Sequence, residues 1–469
     1  MNCSNKTIQL ITLTILAFLL VFGPTTIPRA NHTSHIVGSH RSADRGSLWA
    51  EEVGDRWGTE ERERAYYPLQ SIPIPKELII EAGAFCTLPD GRIAIGTRHG
   101  EVFFVTGLDD EKPTPTFHRF ATGLDEIFGL DYRDGALYVT QSCEVTRLLD
   151  TKKRNTADRF ETVSDRWGYA NYHEYAFGSK FDSAGNLYVA LGLSNSYDSH
   201  ALFRGFVMQV TADQKTRAIA SGLRSPGGIG FNEHGSLFYI ESQGPWNCSC
   251  SLKAISPSSF QGHPASFNWY PFAPEMGKTP EQPKSNSRTL VERERVKELV
   301  PYAVIFPYIR MGRSITGFVV NQRITITSQG FRVAFTKPID LKTGSDPTSY
   351  HLSTFTHPYH GGYGGPEIER TEPTVKSVTL SDDRMVATVV INEPLLRGHV
   401  YEFDLAAIRA ADGESILHRH AYYTVNEVPA AAANNTAAAG TNAAAEPLWL
   451  TYPGAKFASG KKQPGQGKK

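Results

Sequence analysis

Three short segments carry residue types that could do chemistry together. His173 stands in NYHEYAFG beside Glu174; an imidazole takes a proton near neutral pH, and a neighbouring carboxylate could orient it as a general base. Arg224 stands in GLRSPGG, where a loop of little freedom presents a fixed positive charge suited to an anion. Gln243, Gly244 and Pro245 follow in ESQGPW. An imidazole and a guanidinium entering one site from adjacent elements would make a proton acceptor and an anion holder. Each has a plainer reading: a histidine among aromatics is commonly packed and hydrogen-bonded, and an arginine on a turn commonly faces solvent.

Other candidates have weaker claims. His418 and His420 in HRH share one face of a strand but show no third ligand, and HPYHGGYGG (His357 to Gly365) reads as an aromatic loop. His263 and His399 carry no pattern of their own. Cys248-Ser249-Cys250 lacks partners at zinc-finger spacing. With Cys86 and Cys143 these cysteines allow three disulfide pairings, and free or structural thiols are the plainer reading. There is no Gly-rich phosphate loop, no Ser nucleophile elbow and no haem attachment site.

The elements that must position these residues form a repeat. LPDGRIAI, LDYRDGALYV, FDSAGNLYVAL and FNEHGSLFYI share an apolar residue, a polar turn, a glycine and an alternating apolar run. Their turn glycines, Gly91, Gly135, Gly185 and Gly235, lie 44, 50 and 50 residues apart. That period predicts one four-stranded β-propeller blade per copy. A fifth copy on this spacing is missing: Glu281 to Leu290 has no turn glycine, and residues 272–300 read as a surface excursion or short helix. An apolar pattern resumes over 304–320, where a delayed fifth blade could begin. From Gln322 the texture changes to strand pairs with turn clusters, which predicts a small Ig-like β-sandwich over 322–429. The fold class is therefore all-β, with four to five propeller blades over 67–321 followed by the sandwich.

Composition limits the partners. The 469 residues balance 48 Lys and Arg against 48 Asp and Glu, so no global field draws the chain to nucleic acid. Residues 1–30 have the layout of a signal peptide, with Lys6 before an apolar run from Leu10 to Phe22. Export to a periplasmic or extracellular space is expected, with an uncleaved membrane anchor as the alternative. Residues 31–66 read as an exposed leader, and 430–469 as a low-complexity basic tail.

Together, EAGAFCTLPDGRIAIGTRHGEVFFV, NYHEYAFGSKFDSAGNLYVALG, GLRSPGGIGF, ESQGPW and FQGHPASFNW resemble the glucose/sorbosone dehydrogenase propellers, above all the exported "membrane-bound dehydrogenase" type of planctomycete-like bacteria. The resemblance covers about residues 67 to 320. It implies a six-bladed propeller that oxidises sugars or alcohols with pyrroloquinoline quinone (PQQ) and Ca²⁺, passing electrons to a carrier protein. On that resemblance His173 matches the catalytic base, Arg224 the arginine that holds the quinone, and Gln243, Gly244 and Pro245 the loop that lends backbone oxygens to calcium. Ser225 stands where the family has Asn, the residues after Pro245 lack the family's carboxylates, and the last blades are missing. Two functions follow: an exported PQQ-dependent dehydrogenase, or a non-catalytic binding or scaffold protein on a degenerate propeller. Exposed blade edges would favour self-association unless the sandwich covers them.

Overall fold

Four copies of the repeat fold into four four-stranded antiparallel units, of which the second and third are joined by a parallel bridge into one nine-stranded sheet that includes Ser259–Phe260. In the computed structural model, which describes residues 70–108, 112–232, 234–311 and 323–430, the first unit is Ala82–Thr87, Ile93–Thr97, Val102–Thr106 and Thr116–Ala121. The second is Gly129–Arg133, Ala136–Thr140, Val145–Leu149 and Arg159–Ser164. The third is Ala176–Phe181, Leu187–Leu191, Phe206–Val210 and Thr216–Ser221. The fourth is Pro226–Phe231, Leu237–Glu241, Cys250–Ile255 and Tyr302–Phe306. The expected signal peptide and leader, residues 312–322, and all but the first residue of the tail lie outside the described residues.

Each hairpin turns where the repeat places its glycine. Gly91, Gly135, Gly185 and Gly235 have φ of 89°, 81°, 88° and 77°, a region that a side chain rarely adopts. The first strands of the four units pack side by side in chain order, as the inner strands of propeller blades do. The second and third come so close that their backbones bridge at Gly129 and Gly178, where a Cβ on Gly129 would lie 2.6 Å from the Gly178 carbonyl carbon.

Strand Leu187–Leu191 shows how the blades hold each other. Leu187, Val189 and Leu191 enter the core shared with Val145 and Trp167 of the second-blade side. Tyr188 and Ala190 face the other way, into a core with Leu237, Tyr239 and Ile255 of the fourth blade. Alternation with period two therefore buries both faces of one sheet. The fold is all-β and propeller-like.

Tyr302–Phe306, where a fifth blade could have begun, is instead the outer strand of the fourth, paired with Cys250–Ile255. The excursion between them holds a 3₁₀ helix, Pro264–Phe272, and a short α-helix, Thr289–Arg295.

Residues 323–430 form two further four-stranded sheets. One runs in the order Arg323–Thr327, Gly330–Ala334, Val386–Ile391, Val375–Leu380. The other runs Ile368–Thr371, His351–Thr356, Val400–Asp404, His420–Thr424. Their facing sides share a core in which Phe331 meets Tyr401, Phe403 and Tyr423 at ring separations of 5.0, 5.0 and 5.6 Å. This sandwich sits on the outer strand of the fourth blade. Ile305 N donates to Thr424 Oγ1 at 2.9 Å, Asn426 Nδ2 to the Tyr302 carbonyl at 2.8 Å, and Cys248, Tyr302, Ile305, Phe355 and Val400 form a joint cluster.

Candidate functional site

In each blade the loop entering the inner strand and the loop leaving the second strand lie at the same end. His173 precedes inner strand Ala176–Phe181, Arg224 precedes Pro226–Phe231, and Gln243 to Pro245 leave Leu237–Glu241. The topology thus brings all three sequence candidates to one loop face. The third and fourth blades meet there at Gly192: a Cβ on it would lie 3.7 Å from the His173 carbonyl and 3.7 Å from the Pro226 ring.

His173 is exposed and its ring lies 4.0 Å from that of Tyr172, itself 65% exposed. Its backbone N–H donates to Asn171 Oδ1 at 3.0 Å. Glu174 does not orient it. That carboxylate is fully buried, accepts from Ala170 N, Asn171 N and Ser194 Oγ, and lies 3.8 Å from Arg204 Nε. It turns inward because Arg204, fully buried, offers the matching charge. The Arg204 guanidinium donates to the carbonyls of Gly168, Glu174, Tyr175 and Ser142, clamping the second blade to the third, and burial lowers its pKa to about 10. Nothing in the spacing of the sequence distinguishes Arg204 from a surface arginine.

Arg224 is also buried, at 8% exposure. Its Nη1 donates to the Gln243 carbonyl at 2.9 Å and to that of Ser242 at 3.4 Å, and its Nη2 to Ser196 Oγ at 2.6 Å. The ring of Tyr363, from the sandwich, covers the guanidinium at 5.1 Å. Nε is buried without a hydrogen-bond partner. Close beneath runs Gly244, where a Cβ would lie 2.1 Å from that Nε, so glycine is required by contact. Ser225 contributes backbone: its N–H donates to Glu241 Oε1 at 3.3 Å and its carbonyl accepts from Ser242 N at 3.1 Å.

Below this lies a charged network that sequence reading misses. Glu241 and Lys253 are both 1% exposed and 2.8 Å apart. Lys253 Nζ also donates to the Gln261 carbonyl, Tyr239 Oη to Glu241 Oε2 at 2.7 Å, and Arg224 N to Glu241 Oε1. Burial alone pushes the Glu241 carboxyl up; Lys253 and these hydrogen bonds outweigh it and hold the pKa below its ordinary value. His263, 2% exposed, accepts from Ala265 N through Nδ1 and lies 3.1 Å from the Ser196 carbonyl through Nε2. Burial drives its pKa down to about 4. Period-two alternation marks Glu241 and Lys253 only as strand residues. Their partnership depends on the register of adjacent strands.

The Gln243-Gly244-Pro245 loop is covered by the segment His357 to Gly365. Pro245 bridges to Tyr363, and Gly364 N donates to the Gly244 carbonyl at 3.1 Å. Trp246 N donates to the His360 carbonyl at 2.7 Å, and Gly365 N to that of Cys248 at 3.0 Å. No disulfide joins Cys86, Cys143, Cys248 and Cys250, and burial raises the Cys248 thiol to about 11. Among the described residues no group of three His, Cys, Asp or Glu side chains is placed to hold a metal ion, the HRH segment included.

No protein-family model matches the chain, and no curated protein matches it significantly. Among solved structures, it is similar to the PQQ-bound aldose sugar dehydrogenase of Streptomyces coelicolor at 14% identity, over 67% of this chain and 95% of that one, with a TM-score of 0.35. It is similar to the PQQ domain of pyranose dehydrogenase from Coprinopsis cinerea at 12% identity, over 70% and 81%, with a TM-score of 0.37. The S-layer protein rSbsC matches at 26% identity over 22% of this chain and 12% of that one, with a TM-score of 0.18.

The residues present do not fit a calcium ion at Gln243 to Pro245. Calcium takes six to eight oxygens, usually with carboxylates among them. Here the Gln243 carbonyl is held by a guanidinium, the Gly244 carbonyl by two N–H groups, from Asn247 and Gly364, and the nearby Glu241 carboxylate by Lys253. Both Nη atoms of Arg224 donate within the chain, while its Nε has no hydrogen-bond partner.

Proposed function

We propose that the loop face binds a hydroxyl-bearing small molecule, a sugar or alcohol, and that this binding is the function of the propeller. One observation carries the reading: the Arg224 guanidinium is held between the Tyr363 ring and Ser196 Oγ, Tyr363 is 57% exposed, and Tyr197, the residue after Ser196, is 55% exposed. Tyrosines so placed present flat apolar faces for the C–H side of a sugar ring, with phenol hydroxyls for its polar edge. Asn195, Asp198 and His200 lie on the same loop, where Asn195 Oδ1 accepts from Tyr197 N at 2.7 Å and holds that tyrosine in position. The bound molecule is fixed by stacking and hydrogen bonding, and no reaction step is needed for it to be held.

Isothermal titration of the purified chain with a panel of monosaccharides and polyols tests this. Saturable binding that falls about tenfold in Tyr363→Ala or Tyr197→Ala is expected, the loss of one stacked ring being worth about 1–1.5 kcal/mol. No binding by any member of the panel, or binding indifferent to both substitutions, overturns it.

A second reading is oxidation of that molecule, with PQQ as the acceptor and a carrier protein downstream. It is favoured by His173, whose exposed imidazole lies on the same face as Arg224. Cofactor-dependent dye reduction that disappears in His173→Ala would establish it. Absence of turnover with PQQ and Ca²⁺ leaves binding as the function.

A further inference from the structure

We infer that contacts within the chain take the place of a metal ion at the Gln243-Gly244-Pro245 loop: the Gly364 N–H of the segment His357 to Gly365, together with the Asn247 N–H, occupies the Gly244 carbonyl, and Arg224 occupies the Gln243 carbonyl. The geometry on both sides is built for this. Three main-chain hydrogen bonds cross the contact, from Gly364 N to the Gly244 carbonyl, from Gly365 N to the Cys248 carbonyl and from Trp246 N to the His360 carbonyl. The Gln243 carbonyl, beside them, is taken by Arg224.

Glycines in the segment make the approach possible. A Cβ on Gly361 would lie 2.9 Å from the Trp246 ring, and one on Gly364, at φ 70°, would lie 2.8 Å from the Gln243 side chain. The base of the segment is closed by His357, whose Nδ1 lies 3.0 Å from the Gly365 carbonyl. Electrostatics points the same way. A divalent cation at these carbonyls would sit beside the buried Arg224 guanidinium, and like charges repel strongly where water is excluded. N–H groups satisfy the same oxygens without adding a full charge.

The test uses the full chain and two readouts that do not involve activity. Thermal unfolding is measured in CaCl₂ and in chelator, and amide hydrogen exchange is followed at Trp246, whose N–H is inside the contact. The melting temperature is expected to be the same in both solutions. In Gly364→Pro, which removes a donating N–H, exchange at Trp246 is expected to quicken by about tenfold or more. If that variant does not fold, Gly361→Ala, which presses on Trp246, takes its place. A melting temperature raised by CaCl₂ and lowered by chelator overturns the inference, and so does Trp246 exchange unchanged in a folded variant.

Discussion

At the residue scale, the loop face is governed by charges that have been taken out of water. Glu241 and Lys253 have almost no contact with solvent, so each depends on the other. Lys253→Met should destabilise the protein by about 3–5 kcal/mol, because it leaves a buried carboxylate unpaired, whereas adding Glu241→Gln should restore part of that loss. Urea unfolding of the single and double variants checks this. His263 provides a pH dependence. Its pKa falls from 6.5 to about 4 on folding, so between those values the unfolded chain holds a proton that the native chain refuses. Stability supplied by the neutral ring is complete above pH 6.5 and is lost as pH falls towards 4. The full effect is about 3 kcal/mol, and His263→Gln should flatten the dependence over that window in urea titrations.

At the scale of elements, the glycines divide into two kinds with different consequences. Gly91 stands at a hairpin turn with open space around it and a φ of 89°. Gly91→Ala should cost only about 1 kcal/mol, the strain of a left-handed conformation. Gly129 has an ordinary φ but stands where two inner strands touch, and a Cβ there would also lie 2.7 Å from that of Thr140. Gly129→Val should therefore cost about 3 kcal/mol by overpacking, and shift the denaturant midpoint further than Gly91→Ala. The repeat in the sequence exposes the first kind, because turn chemistry is local. It does not expose the second, since contact between inner strands depends on how successive blades stack.

At the scale of the molecule, the sandwich and the fourth blade share a core. Phe355 is fully buried among Cys248, Tyr302, Ile305 and Val400, residues drawn from both. Phe355→Ala should cost about 3–5 kcal/mol. Fluorescence and circular dichroism should still report one coincident transition, now at lower denaturant, because the two parts unfold together. Separate transitions in the unmodified protein would show instead that the shared cluster is too small to couple them. Self-association through the blade edges is a separate expectation that sedimentation at several concentrations decides.

Local patterns were enough to reveal the blades: alternation, turn glycines and a period near 50 residues each act over a few residues, so their signal is written along the chain. They also offered His173 and Arg224 as groups entering one site from adjacent elements, and the blade topology of the structure sends their loops and that of Gln243-Gly244-Pro245 to the same end. Tertiary structure decided what these residues do there. Glu174 turns away from His173 because Arg204, thirty residues later, balances its charge in the interior. Arg224 is bound to carbonyls and covered by Tyr363, and the Gln243-Gly244-Pro245 loop is covered by a glycine-rich segment more than a hundred residues further on. Such partners are distant in sequence and near only in space, and hydrogen bonds and buried charges act over a few ångströms of space.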